Sequence, residues 1–127
     1  MKETMSNAIE RFPTPLPVPF SKAVRAGGFV FLSGQLAMQA DGNIVAGDVQ
    51  VQTKFVLERV AATLQEVGGG MADVVKATVW LANLDDFAAF NEEYKKHFSA
   101  GLPTRSTVEA RLYKGALVEI EVQALAR

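Results

Sequence analysis

Hydrophobic residues recur every three to four positions in two segments of the chain, and this period predicts two amphipathic helices. The first begins after Asp48, a favourable capping residue, and ends near Val67, just before a run of three glycines. The second opens at Asn83 or Asp85, and its apolar stripe consists of Phe87, Phe90, Tyr94 and Phe98.

Other segments are rich in β-branched and aromatic residues and predict strands at 23–25, 29–33, 74–82, 104–112 and 117–126. Glycines 27 and 28 form a hairpin turn, 41–43 is a second turn, and the proline-rich residues 14–19 are irregular. The order ββ(β)αβαββ predicts an α+β fold with two helices on one sheet, in a single domain spanning 1–127.

The predicted sheet is apolar on both faces. Side chains alternate along a strand, so Phe29 and Phe31 point to one side and the intervening aliphatic residues to the other. In strand 74–82, the same rule puts Val75 on one face and Val74 on the opposite face. Two helices cover only one face, and we expect another copy of the chain to bury the second.

Composition narrows the function classes. The chain of 127 residues carries 13 Lys and Arg against 14 Asp and Glu, without a block of like charge, so a nucleic-acid partner is not expected. It has no cysteine and one histidine, which argues against disulfides, a thiol nucleophile and a metal site. Neither a signal peptide nor an apolar run of membrane-spanning length is evident, so we expect no membrane association and a cytoplasmic location.

Arg105 lies on one predicted strand, and Glu119 and Glu121 lie on the next strand along the chain. A guanidinium can grip a carboxylate with two parallel hydrogen bonds, and a glutamate can hold or activate a water. Together they suit hydrolysis of a small carboxylate-bearing substrate. The alternative for residues on adjacent strands is an ordinary cross-strand ion pair.

In this setting the chain resembles the Rid family of enamine/imine deaminases, also called the YjgF family. The resemblance spans about residues 19–126. Four blocks carry it: Pro19–Ala23, Phe31–Gln35, Asp73–Leu81 with Leu84–Phe87, Asn91 and Tyr94, and Leu102–Ser106 with Val118–Glu121.

The resemblance implies a chorismate-mutase-like fold assembled as a homotrimer, with ligand pockets in the clefts between subunits. It also implies a 2-iminobutanoate/2-iminopropanoate deaminase-like hydrolase. Such an enzyme converts reactive enamines and imines of the 2-aminoacrylate type to 2-keto acids and ammonia, and no cofactor is expected.

By the same resemblance, Arg105 binds the substrate carboxylate and Glu119 positions the attacking water. Ser33 is a pocket contact rather than a nucleophile, and its hydroxyl and an exposed backbone N–H beside Gly34 line the site. Asn91 lies near the pocket or bonds the helix to a loop.

Two substrate-binding positions depart from the family pattern. Phe20 stands where many members have tyrosine, and Thr107 replaces a common cysteine, although its backbone carbonyl can still accept from the imine nitrogen. His97, which follows two lysines at a helix end, is interpreted as complementing the helix dipole.

Two other functions remain open. One is a non-catalytic protein that binds a 2-keto acid or amino acid in the same inter-subunit cleft. The other is an endoribonuclease, an activity attached to some relatives, against which the near-zero net charge and the lone histidine both weigh.

Overall fold

The computed structural model describes residues 8–127, so the first seven residues of the expected domain 1–127 lie outside the described part. The described elements are β1 (Ile9–Pro13), β2 (Ser21–Ala26), β3 (Phe29–Leu32), β4 (Gln35–Leu36), α1 (Val49–Val67), β5 (Val74–Leu81), α2 (Phe87–Tyr94), β6 (Thr104–Glu109) and β7 (Val118–Leu125).

The strands form one mixed sheet in the order β1-β2-β3-β7-β5-β6, and the short β4 also pairs with β7. Only β5 and β6 run parallel; the other paired strands are antiparallel. The predicted α+β fold, a mixed sheet with two helices, is confirmed. β6 forms one edge of the sheet, and β5 separates it from β7.

Local sequence explains where the helices begin and end. The Asp48 side chain accepts a hydrogen bond from the Val51 N–H, and α1 ends at Gly68, whose φ of 90° suits glycine. Asn83 caps a short 3₁₀ turn at Leu84–Asp86, so the α-helix proper begins slightly later than predicted, at Phe87. Within residues 8–127 neither helix has the length and hydropathy needed to cross a membrane.

Both helices lie against the same face of the sheet, and the hydrophobic core fills the space between the helices and the sheet. The aliphatic residues of β3, β5 and β7 on this helix face are buried against the apolar side of α1. Phe29 and Phe31 lie on the other face, hereafter the open face, where each is 38% exposed. The prediction of an apolar second face is confirmed only in part, because Gln123, the β7 partner of Phe31, and Glu119 and Glu121 lie on the same face.

A bulge in β5 reverses one predicted orientation. The pairing with β7 shifts between Val74 and Lys76, so one extra residue interrupts the alternation. Val74 therefore points into the core at 7% exposure, whereas Val75 is 40% exposed. Their predicted faces were wrong for that reason, because simple alternation assumes an unbroken ladder.

Other differences concern strand ends. β1, which is largely exposed at the sheet edge, was not predicted, and β4, which has only 2 residues, was predicted only as an optional third strand without bounds. β6 ends at Glu109 rather than 112, and a hydrogen bond from Ala110 N–H to the Leu81 carbonyl closes its ladder. The irregular segment 14–19 is confirmed as a series of bends.

Candidate active site

Arg105 and Glu119 point to opposite faces of the sheet. Arg105 pairs with Ala77 of β5, which faces the helices, while Glu119 pairs with Trp80, three residues further along the same strand. Paired residues share a face, and an odd separation along a strand reverses it. The expectation that the two side chains lie on neighbouring strands was wrong, because β5 lies between β6 and β7.

The guanidinium of Arg105 lies against three aromatic rings of α2. Its Cζ atom is 4.8 Å from the ring centroid of Tyr94, 5.2 Å from that of Phe90 and 5.4 Å from that of Phe87. Cations are attracted to the faces of aromatic rings at such distances. Arg105 forms no ion pair within residues 8–127, so the rings hold the guanidinium while its charge has no acidic partner there.

Polar atoms on the same two elements also lack partners. Asn91 Oδ1, the Tyr94 hydroxyl and Thr107 Oγ1 are buried, and none has a hydrogen-bond partner in the described chain. Burial raises the pKa of the Tyr94 hydroxyl, and the nearby Arg105 charge offsets part of that rise. Arg105, Phe87, Asn91, Tyr94 and Thr107 are hereafter the Arg105 cluster. Buried polar groups without partners are uncommon and are often satisfied by a ligand or water.

Glu119 lies directly over Gly34 at the junction of β3 and β4. A methyl group added at Gly34 would overlap the Oε2 atom of Glu119, so the absence of a side chain there makes room for the carboxylate. Burial, and then the neighbouring Glu121, raises the pKa of the Glu119 carboxyl above its ordinary value. No donor to this carboxylate is found between residues 8 and 127.

Glu119 opens into a cavity of about 600 Å³, hereafter the Glu119 pocket. Phe20, Ser33 and Gly34 line it, whereas Arg105, Thr107 and Asn91 do not. The remaining lining residues are Thr14, Leu16, Pro17, Val18, Lys22, Gln35, Leu36, Met38, Gly42, Arg59, Tyr113 and Lys114. The predicted site residues therefore fall into two groups, one on each side of the sheet.

Ser33 differs from its prediction in one detail. Its hydroxyl donates to the Ser21 carbonyl at 2.6 Å, and its backbone N–H donates to the Lys22 carbonyl at 3.1 Å. The N–H of Ser33 is therefore not free to bind a ligand, and the hydroxyl contributes an oxygen acceptor to the pocket. His97 contacts Glu93 one helical turn earlier, with 2.8 Å between Nε2 and Oε2.

Sequence reasoning missed the aromatic support of Arg105. It treated the stripe of α2 as core, yet Phe87, the first residue of that stripe, is 43% exposed and lies over the guanidinium. The apolar stripe of α2 extends beyond the buried face of the helix, and this extra length was the sequence signal for the contact with Arg105. Nor did the sequence single out Arg59, whose place in the pocket depends on where β4 runs.

Comparison with known proteins identifies the family. The model of the family described as Endoribonuclease L-PSP matches residues 13–126. A RutC family protein of Pyrococcus horikoshii is 42% identical over 126 residues, which cover 98% of each chain. The chain belongs to the Rid (YjgF) family.

Relatives within the Rid family carry different names. A goat (Capra hircus) relative named 2-iminobutanoate/2-iminopropanoate deaminase is 40% identical over 84% of this chain and 80% of its own. A solved structure from Yersinia pestis, described as a Rid family protein of unknown function, superposes with a TM-score of 0.85 at 35% identity, covering 94% of this chain and 100% of that one. The resemblance that the sequence suggested is thus confirmed at the level of family and fold.

Proposed function

We propose that this Rid protein hydrolyses small carboxylate-bearing imines and enamines to 2-keto acids and ammonia, at a site shared between two copies of the chain. The observation that carries the proposal is the separation of the Arg105 cluster from the Glu119 pocket. Each has unpartnered polar groups, and the sheet divides them within one chain. A second copy that sets its Arg105 against the Glu119 of the first completes a site with both groups.

Arg105 would bind the substrate carboxylate. Its planar fork matches the two carboxylate oxygens, and the rings of Phe87 and Tyr94 restrict the orientation of that fork. Anchoring one end of a small substrate holds its C=N carbon at a fixed place, and such positioning contributes to rate without any covalent step.

Glu119 would hold the attacking water. As a carboxylate it accepts a proton from water while the oxygen adds to the C=N carbon, and the imine nitrogen takes up a proton. The resulting carbinolamine then loses ammonia as its hydroxyl gives up a proton, and the C=O bond of the keto acid forms. A pKa raised by burial brings this carboxyl closer to neutral pH, where it exchanges protons more readily.

The open face supports association of copies, and a homotrimer is the assembly proposed. Phe29 packs beside Phe31 with 6.5 Å between ring centroids, and Leu125, the β7 partner of Phe29, is 38% exposed as well. A contact between unlike surfaces of successive copies closes into a ring when the rotation permits. A ring of this kind places Arg105 of each copy near the Glu119 pocket of the next.

Two residues bear on the substrate. Phe20 is 55% exposed at the pocket rim and supplies an apolar wall without a hydroxyl. Thr107 lies on the edge strand β6, where part of the backbone has no strand partner, so its carbonyl remains a proposed acceptor for the imine nitrogen.

A coupled assay tests the proposal. An amino-acid oxidase generates 2-iminobutanoate from 2-aminobutyrate, and semicarbazide traps whatever imine remains. Wild-type protein should suppress semicarbazone formation, and Arg105→Ala should not. Arg105→Lys, which keeps the charge without the fork, should be impaired, while Arg11→Ala, which removes an exposed arginine from β1, serves as the matched control.

The alternatives give different results. Wild-type protein that binds 2-oxobutanoate but accelerates no imine tested would refute the enzyme and indicate a ligand-binding protein. RNA cleavage that persists in Arg105→Ala and copurifies with the protein would instead point to the activity named in the family description. Full activity in Arg105→Ala would refute the role of Arg105 in binding the substrate carboxylate.

A further inference from the structure

Arg59 is a partly buried cation in the Glu119 pocket without an acidic partner. It lies on α1 between the fully buried Leu57 and Val60, at the border of the apolar face. Burial lowers the pKa of its guanidinium, and no ion pair with it occurs within residues 8–127. A charge withdrawn from water without a counter-ion is unfavourable, so an anionic ligand would stabilise it.

The hydrogen bonding of Arg59 leaves most of its donors available. One guanidinium nitrogen donates to the Leu36 carbonyl at 2.8 Å. A guanidinium carries five N–H donors in a planar fork, so a single bond to a carbonyl fixes its position and leaves the others for a ligand. This arrangement suits a carboxylate, whose two oxygens match the fork.

Leu36 also fixes the distance between Arg59 and Glu119. Leu36 of β4 pairs with Glu119 of β7, and its carbonyl accepts the bond from Arg59. One strand spacing and one hydrogen bond therefore separate the guanidinium from the Glu119 backbone, a span of roughly 8 Å. Both residues line one cavity of about 600 Å³, which has room for a small dicarboxylic acid.

The other cations of the pocket are already engaged. Lys22 forms an ion pair with Glu66 of α1, at 2.5 Å. Lys114 donates to the Gly42 carbonyl at 2.8 Å. Arg59 is thus the lining cation with the most free donors. Arg59 and Lys114, neither of which is in an ion pair within residues 8–127, outnumber the one lining carboxylate, Glu119, and favour a negatively charged ligand over a neutral one.

We propose that Arg59 is a second anion-binding residue, and that the pocket takes imines with a distal acidic group, the class derived from acidic amino acids. This inference rests on the proposed imine hydrolysis and assigns its substrate class. Arg105 of a neighbouring copy binds the carboxylate next to the C=N carbon, and Arg59 binds the carboxylate at the other end.

The test compares two substrates. Oxidases generate the imine of glutamate and, separately, 2-iminobutanoate, and kcat/KM is measured for both with wild type, Arg59→Gln and Arg59→Lys. The glutamine keeps a polar amide but has no charge. We expect the ratio of kcat/KM for the two substrates to fall 10- to 100-fold in Arg59→Gln and less in Arg59→Lys. Lys54→Gln, on the exposed side of α1, should leave the ratio unchanged.

A binding experiment separates this inference from the proposed function. Calorimetry with glutarate, which is not a substrate, should show binding to wild type that weakens at least tenfold in Arg59→Gln. Glutarate binding lost in Arg59→Gln, together with no imine hydrolysis at all, would keep the anion site and refute the enzyme. Hydrolysis of 2-iminobutanoate with an unchanged substrate ratio in Arg59→Gln would refute the distal site alone.

Discussion

Replacement of Gly34 by alanine tests whether the position of the Glu119 carboxylate matters for catalysis. The added methyl group would overlap Oε2 of Glu119, the far end of a flexible side chain rather than backbone. The carboxylate must move by about 1 Å to restore ordinary contact, and a misplacement of that size in an active site can cost about 100-fold in rate. The fold should tolerate the change, since a side-chain rotation relieves the overlap.

We therefore expect Gly34→Ala to lower kcat for 2-iminobutanoate by about 10- to 100-fold, which does not exceed the contribution of about 10²–10⁴-fold typical of a general base. Gly70→Ala is the matched control, because a methyl group there lies 3.7 Å from its nearest neighbour, Asp73 Oδ2, at ordinary contact distance. Initial rates in the semicarbazide assay give kcat, and thermal unfolding checks that both variants fold.

Wild-type kcat in Gly34→Ala, with normal unfolding, would contradict a catalytic role for Glu119 at its present position. Equal losses in Gly34→Ala and Gly70→Ala would also count against it, because a general effect of added methyl groups would then explain the data. A loss confined to Gly34→Ala supports the placement of water by Glu119.

Four further predictions concern Arg105, Glu119 and the open face. Phe87→Leu removes one exposed ring from Arg105 and should raise KM about two- to fivefold with kcat little changed, corresponding to about 0.5–1 kcal/mol; an unchanged KM would show that the ring does not support the guanidinium. The raised pKa of Glu119 should shift the acidic limb of the kcat/KM profile above that of an ordinary glutamate, since the ionised form is the base. Because the pKa of Glu119 is higher in the folded than in the unfolded chain, its ionisation lowers the free energy of unfolding as pH rises through the folded-state pKa. Glu119→Gln should therefore raise Tm at pH 7 but leave Tm unchanged below the unfolded-state pKa of this carboxyl. Equal Tm differences at both pH values would contradict this. Phe31→Asp places a charge on the open face and should reduce the particle mass measured by light scattering to that of one chain, whereas an unchanged mass would exclude this face as the contact.

Several parts of the site were accessible from sequence because they depend on local chemistry. Ser33 and Gly34 end a predicted strand, where a hydroxyl and a backbone N–H were expected to line a pocket, and Phe20 was expected there from the family resemblance. The structure brings all three to the Glu119 pocket. Family membership followed from the order of short motifs, which is itself a property of the sequence.

The residues that the sequence misplaced are those whose environment depends on distant segments. Alternation predicted the apolar open face correctly at Phe29 and Phe31, but a bulge that arises only from pairing with β7 exchanged Val74 and Val75. By contrast, the ends of α1 were predicted correctly, because Asp48 and Gly68 act through local capping and backbone geometry.

The sequence by itself determined the two helices, the aromatic residues of the open face, and an arginine and a glutamate suited to a small carboxylate-bearing substrate. Only the tertiary structure decided that β5 lies between β6 and β7, which sets Arg105 and Glu119 on opposite faces. Strand order cannot be deduced from alternation, since every strand shows the same period whichever neighbour it has. The proposed site between two copies of the chain rests on that order.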